Sequence, residues 1–112
     1  MIIVISAQHS DLNAFVDSRF GRAPFFILHN TKTGTWEAIE NPAIAQTGGA
    51  GVAAAQFIID REAKVVISGD FGPNASRALQ ASGIKMYRFT ESIKTVKDAI
   101  DKFNQNALLP NE

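Results

Sequence analysis

No cysteine occurs among the 112 residues. That removes a disulfide framework, a thiolate metal ligand and a cysteine nucleophile together. Charge of one sign is also missing, because 11 Lys and Arg are matched by 11 Asp and Glu. Binding to nucleic acid or to an anionic membrane surface usually shows as a basic excess, so neither partner is expected. No apolar run approaches the roughly 20 residues of a membrane span, and no charged leader precedes the first strand. The expected location is therefore the cytoplasm. Only two histidines are present, His9 and His29, with no second ligand at a metal spacing. Both are expected in solvent, and Met86 in the core. Ser6, Ser68 and Ser76 have no inferable base, and no carboxylate pair stands at a recognisable spacing. An enzyme is not expected.

What the chain does contain is apolar: 46% of its residues are hydrophobic, and 8 are phenylalanine. That suffices for one core at this length. The expectation is one α/β domain over residues 1–103, with residues 104–112 as a flexible tail. The organising stretch runs from Val65 to Ser82. Val65, Val66 and Ile67 are consecutive β-branched residues, as in a strand covered on both faces. Gly69, Gly72 and Pro73 break that strand. Pro73 suits the first helical position with Gly72 as its cap, and Ala75, Ala78 and Leu79 give the helix an apolar edge.

Ile2–Ile5 is a second continuous β-branched run, followed by a polar loop over residues 6–19. Phe25–His29 and Thr35–Glu40 predict a hairpin across Asn30–Gly34. Alternation in the later strand is imperfect, which places it at a sheet edge. Beyond Pro42, Gly48–Gly51 leads into a helix whose buried side is assigned to Val52, Ala55, Phe57, Ile58 and Ile59. Gly83 ends the middle helix, Ile84–Arg88 is the fifth strand, and Ile93, Val96, Ile100 and Phe103 mark a last helix. With right-handed crossovers this order predicts a three-layer α/β fold. Its mixed five-stranded sheet runs 3-2-1-4-5, with strand 2 antiparallel.

Ligands of open α/β sheets bind beyond the carboxyl ends of the parallel strands. Ser6, the Gly48–Gly51 loop and the Ser68–Asn74 turn border that crevice. Two helix N-termini there would offer backbone N–H groups and positive dipole ends to an anion. The candidate positions are Gly48, Gly49, Ala50 and Gly51 on one helix, and Ser68, Gly69, Gly72, Pro73 and Asn74 on the other. Arg22 joins them because a guanidinium fork suits an anion, although it also fits a plain solvated bend. No catalytic residue and no metal ligand is assigned.

An alternative is a nucleotide-binding protein or enzyme. Gly49-Ala50-Gly51-Val52-Ala53-Ala54 matches G-x-G-x-x-A before a helix, with Asp70 at the end of the next strand. Its weakness is that an amphipathic strand and a polar connection precede the loop. A nuclease is rejected because the first strand carries no carboxylate to hold metal ions.

Asp17-Ser18-Arg19-Phe20-Gly21-Arg22-Ala23 stands before a Phe-rich strand. Gly48-Gly49-Ala50-Gly51 and Gly69-Asp70-Phe71-Gly72-Pro73-Asn74-Ala75 follow in order. Together these motifs resemble the nitrogenase iron–molybdenum cofactor biosynthesis family over roughly residues 1 to 103. The resemblance implies a ribonuclease H-like motif fold, in agreement with the order read from periodicity. It further implies a carrier: some members hold an iron–sulfur precursor of the cofactor. Small stand-alone members of anaerobes hold a molybdenum–copper sulfide cluster non-covalently. Without an extra domain, this chain is similar to the stand-alone members. The expected ligand is thus an anionic metal–sulfur cluster, of molybdenum–copper or iron–molybdenum type, with molybdenum–copper sulfide first. The resemblance also implies an assembly with cytoplasmic ATPases or cofactor-assembly proteins. The chain itself is expected as a monomer or weak homodimer, with Phe71 buried.

Overall fold

A run of β-branched residues with no polar alternation can lie flat only where both faces are covered. Both such runs do so in the computed structural model, which describes residues 1–110. Along the chain the elements are β1 (Ile2–Ala7), β2 (Phe25–Asn30), β3 (Trp36–Glu40), α1 (Ala50–Asp60), β4 (Ala63–Ser68), α2 (Pro73–Ala81), β5 (Lys85–Arg88), α3 (Val96–Asn104) and β6 (Leu109–Pro110). A single 3₁₀ turn spans Phe20–Arg22. β1 and β4 pair in parallel at the centre, Val4 beside Val66 and Ile5 beside Ile67. β2 runs antiparallel to β1, β3 forms the edge beyond it, and β5 lies parallel to β4. The expected three-layer architecture and the order 3-2-1-4-5 are what the chain adopts.

One strand goes beyond that expectation. Leu109 pairs antiparallel with Arg88, and Pro110 with Tyr87, so β6 extends the sheet to six strands. Within the expected tail over 104–112, Leu109 and Pro110 are accordingly strand-paired, and Leu108 packs on the core. Asn111 and Glu112 lie outside the described residues. Two residues carry no readable period, and a proline is tolerated there because an edge strand spares its missing N–H.

The central strands alternate between two cores. Val4, Phe26, Leu28, Val66 and Met86 face α1 and α2. Ile3, Ile5, Ile27, Val65 and Ile67 face α3, where Val96, Ala99 and Ile100 cover them. Met86 and Phe71 are buried as expected. Val52 is not: the buried stripe of α1 is Ala50, Ala54, Ala55 and Ile58, which turns Val52 outward. His29 also departs from expectation. It lies half-buried in β2 between Ile3 and Trp36, and its Nδ1 has no hydrogen-bond partner among the described residues. Burial pushes its imidazole pKa down. α3 starts after Ile93, because Thr95 caps it: Thr95 Oγ1 accepts from Asp98 N, and Asp98 Oδ2 accepts from Thr95 N.

Candidate functional site

β1 and β4 end side by side, and the motif-bearing turns leave from their ends. Ser6 and Ser68 are fully buried there with their Oγ atoms 2.6 Å apart. Ser6 Oγ donates to the carbonyl of Asp17, so the proton between the two hydroxyls belongs to Ser68. Asp17 N donates back to Ser6 O at 3.0 Å. This buried pair ties the segment from Asp17 to Arg22 onto the sheet, with the Ser68 hydroxyl engaged by Ser6.

The same segment is held by close approach of backbone to backbone. A Cβ on Gly69 would stand 2.5 Å from Ser18 Cβ and 2.8 Å from Ser18 Cα. One on Gly21 would stand 2.8 Å from Gly51 N and 2.9 Å from Gly51 Cα. Gly51 in turn leaves room for Ala75 of α2, which a Cβ would meet at 3.4 Å. The three motifs are therefore packed on one another, and much of their glycine serves chain–chain contact. Asn41, 2% exposed, adds a polar tie: its Nδ2 donates to the carbonyls of Gly21 and Ala23, and its Oδ1 accepts from Ala43 N.

Between the N-termini of α1 and α2 this packing leaves an open groove of about 400 Å³. Phe20 and Phe71 form its floor, ring centroids 5.4 Å apart. Each helix is capped by a glycine, Gly49 at φ 70° and Gly72 at φ 75°, and neither has a side-chain cap. A left-handed φ at these caps suits glycine, but it leaves the first-turn N–H groups to water or a ligand. Arg22, Gly49, Ala50, Gly51, Gly72, Pro73 and Asn74 line the groove; Gly48, Ser68 and Gly69 do not.

Sequence reasoning missed Arg19 and Asp17. Arg19 lines the groove, and its Nε and Nη2 donate to Asp17 Oδ1 and Oδ2 at 3.0 and 2.7 Å. An arginine two residues after an acid was the available signal. Arg22 is engaged elsewhere: its Nη1 donates to the carbonyls of Ile44 and Gln46 in the loop before α1. Asp70 stands at the lip, its Oδ1 accepting from Gly72 N at 3.2 Å. Among the described residues, no three of His, Asp and Glu cluster to hold a metal ion. Nor is any helix there long and apolar enough to cross a membrane.

Burial pushes the Asp17 carboxyl up, but hydrogen bonds from the Arg19 side chain and backbone, with its charge, outweigh this and hold it below 3.8. Asp98 is held low by the N–H groups of Lys94 and Thr95. Both carboxylates bind protons more readily once unfolded, so their stabilisation is complete above about pH 4 to 5 and fades below it. Melting temperature is expected to fall as pH drops below about 4, less steeply in Asp98→Asn. Thermal melts across that range check this, and parallel slopes in parent and variant would contradict it.

Among curated proteins, none matches the chain. The profile of the dinitrogenase iron–molybdenum cofactor family matches residues 1–106. The apo form of the orange protein from Desulfovibrio gigas is similar at a TM-score of 0.89 and 34% identity, covering 99% of this chain and 96% of that one. A NifB-like protein of the DUF35 family from Thermotoga gives 0.84 and 35% identity, covering 97% and 91%. A Methanocaldococcus jannaschii protein, at 0.73 and 14% identity over 100% and 95%, shares the fold. Profile, sequence likeness and architecture agree: the chain belongs to the dinitrogenase iron–molybdenum cofactor family.

Proposed function

We propose that the protein is a binding protein that carries an anionic metal–sulfur cluster, as cargo, in the groove between α1 and α2. One observation carries this reading. Two glycine-capped helix N-termini converge on an aromatic floor, with guanidinium groups at the lip, in a chain that has no thiolate. The donor set fits such a group: amide and guanidinium hydrogens would meet its sulfide acceptors. Each helix end contributes about 0.5–2 kcal/mol and one arginine contact about 1.5–3 kcal/mol, which allows micromolar-range binding at best unless apolar packing adds to it. Likeness to the orange protein, itself solved in an apo form, supports a bound state here. A molybdenum–copper sulfide is the first candidate and an iron–molybdenum precursor the second. Cytoplasmic ATPases or cofactor-assembly proteins would load and unload it. The chain would act as a monomer or weak homodimer, and an open groove permits hand-over.

The nucleotide reading keeps one support, the placement of Asp70 beside Gly49–Gly51. Against it, α1 follows a loop from the edge strand β3 instead of a buried parallel strand. Gel filtration of the protein incubated without oxygen with tetrathiomolybdate and copper(I), with an iron–sulfur precursor, or with ATP separates the readings. Coelution of metal and visible absorbance with the protein is expected for the sulfide ligands and not for ATP. Asn74→Asp and Val52→Glu place a negative charge on the first turn of α2 and α1, where it favours the helix but repels an anion. Both are expected to keep the parent's melting temperature and to weaken sulfide binding roughly tenfold. Retention by both variants at parent affinity would place the anion elsewhere.

A further inference from the structure

Resting on that reading, we infer that Arg19, presented by Asp17, is the side chain that contacts the anion, and that Arg22 chiefly holds a loop. Arg19 is set by a buried anchor. The Asp17 carboxylate is 3% exposed and takes both Nε and Nη2 of Arg19, while its Oδ1 also accepts the Arg19 backbone N–H at 2.9 Å. A bidentate pair fixes the guanidinium plane, and a guanidinium has five donors. Asp17 uses two of them. The remaining edge belongs to a side chain that lines the groove and is 63% exposed. A donor held in this way loses little further freedom when a ligand arrives.

Arg22 presents the opposite case. Both Nη1 hydrogens are spent on the Ile44 and Gln46 carbonyls, so that edge meets an anion only by releasing the loop. Charge bears on selectivity too. Asp17 offsets Arg19, and Asp70 offsets Arg22 across the same groove. With so little net field, the groove discriminates by donor geometry and by the softness of the acceptors it meets. Tetrathiomolybdate is therefore favoured over molybdate, which has the same charge and shape class but harder, better hydrated oxygens.

The test titrates tetrathiomolybdate and molybdate into the parent, Arg19→Ala, Arg19→Lys, Arg22→Ala and Asp17→Asn, with the arginine Nε–H signals followed by NMR. Arg19→Ala is expected to bind tetrathiomolybdate roughly tenfold more weakly and, because it leaves the buried Asp17 carboxylate without its partner, to melt lower; Arg19→Lys keeps a cation beside Asp17 and holds the melting temperature nearer the parent's. Arg19→Lys restores the charge without the fork and is expected to recover little of the lost affinity. Arg22→Ala is expected to stay within about threefold of the parent and to shift the amides of residues 43–47. In Asp17→Asn the Arg19 Nε–H signal is expected to exchange faster with water, and binding to fall. In the parent, the Arg19 Nε–H signal is expected to shift on titration. Parent affinity in Arg19→Ala, or a larger loss in Arg22→Ala, overturns the assignment while the carrier reading stands. A parent that binds neither anion overturns the carrier reading and this inference with it.

Discussion

Gly69→Ala is expected to lower stability by about 2–3 kcal/mol, although it adds one methyl group at a turn. The added Cβ would meet Ser18 Cβ at 2.5 Å, and Ser18 Cα and O at 2.8 Å. Backbone atoms do not swing away as a lysine tip does. Ser18 is also fixed on both sides: its carbonyl accepts Asp70 N, and Arg19 N is held by Asp17. Relief would require separating the turn after β4 from the segment that forms the groove wall. Gly48→Ala is the matched control, because a Cβ there has nothing within 4 Å and the backbone φ is not left-handed. That variant is expected to be neutral or about 0.4–1 kcal/mol more stable, through lost freedom of the unfolded chain. Urea denaturation of the pair measures the contrast, and equal midpoints would mean that the Ser18 contact yields easily.

Those two glycines show how far the sequence could be read. Both stand in glycine-rich turns, and one-dimensional reasoning assigns both to a ligand. Which glycine is left open and which faces another piece of chain is decided by the approach of Ser18, many positions away along the sequence. The strands were more legible, because a β-branched run such as Ile2–Ile5 carries its own burial pattern and needs no partner to reveal it. The start of α1 was less so. Val52 looks apolar enough for the core, but the small residues Ala50, Ala54 and Ala55 take the buried face because α2 approaches closely there.

The arginines illustrate the same limit at the site. Arg19 precedes and Arg22 ends one 3₁₀ turn, and nothing local says which faces the groove with donors to spare. The deciding partners are the Asp17 carboxylate and the carbonyls of Ile44 and Gln46. The Asp17–Arg19 pair was visible in principle from its short spacing. The pair formed by Arg22 and its loop was not.

The largest loss is expected from Phe20→Ala, at about 3–5 kcal/mol. Phe20 is fully buried, with its ring 5.5 Å from that of Phe26 and 5.4 Å from that of Phe71. Truncation leaves a ring-sized hole between the sheet, α1 and the turn after β4. The hole cannot collapse cheaply, because Gly21 is already against Gly51 and Gly69 against Ser18. Total stability for a domain of this size is about 5–15 kcal/mol, so the variant should sit close to unfolding. Phe20→Leu keeps most of the volume and is expected to cost about 1–2 kcal/mol, which leaves a folded protein to assay. Position 20 also starts the turn that carries Arg22, directly follows Arg19, and supplies half of the groove floor. In Phe20→Leu, stability and tetrathiomolybdate affinity should therefore fall together, whereas Arg19→Lys, which keeps a charge beside Asp17, should lower affinity with little change in stability. Urea midpoints read beside anion titrations separate the two behaviours. A Phe20→Leu protein that loses stability yet binds at parent affinity would show that the aromatic floor supports the fold and takes no part in holding the ligand.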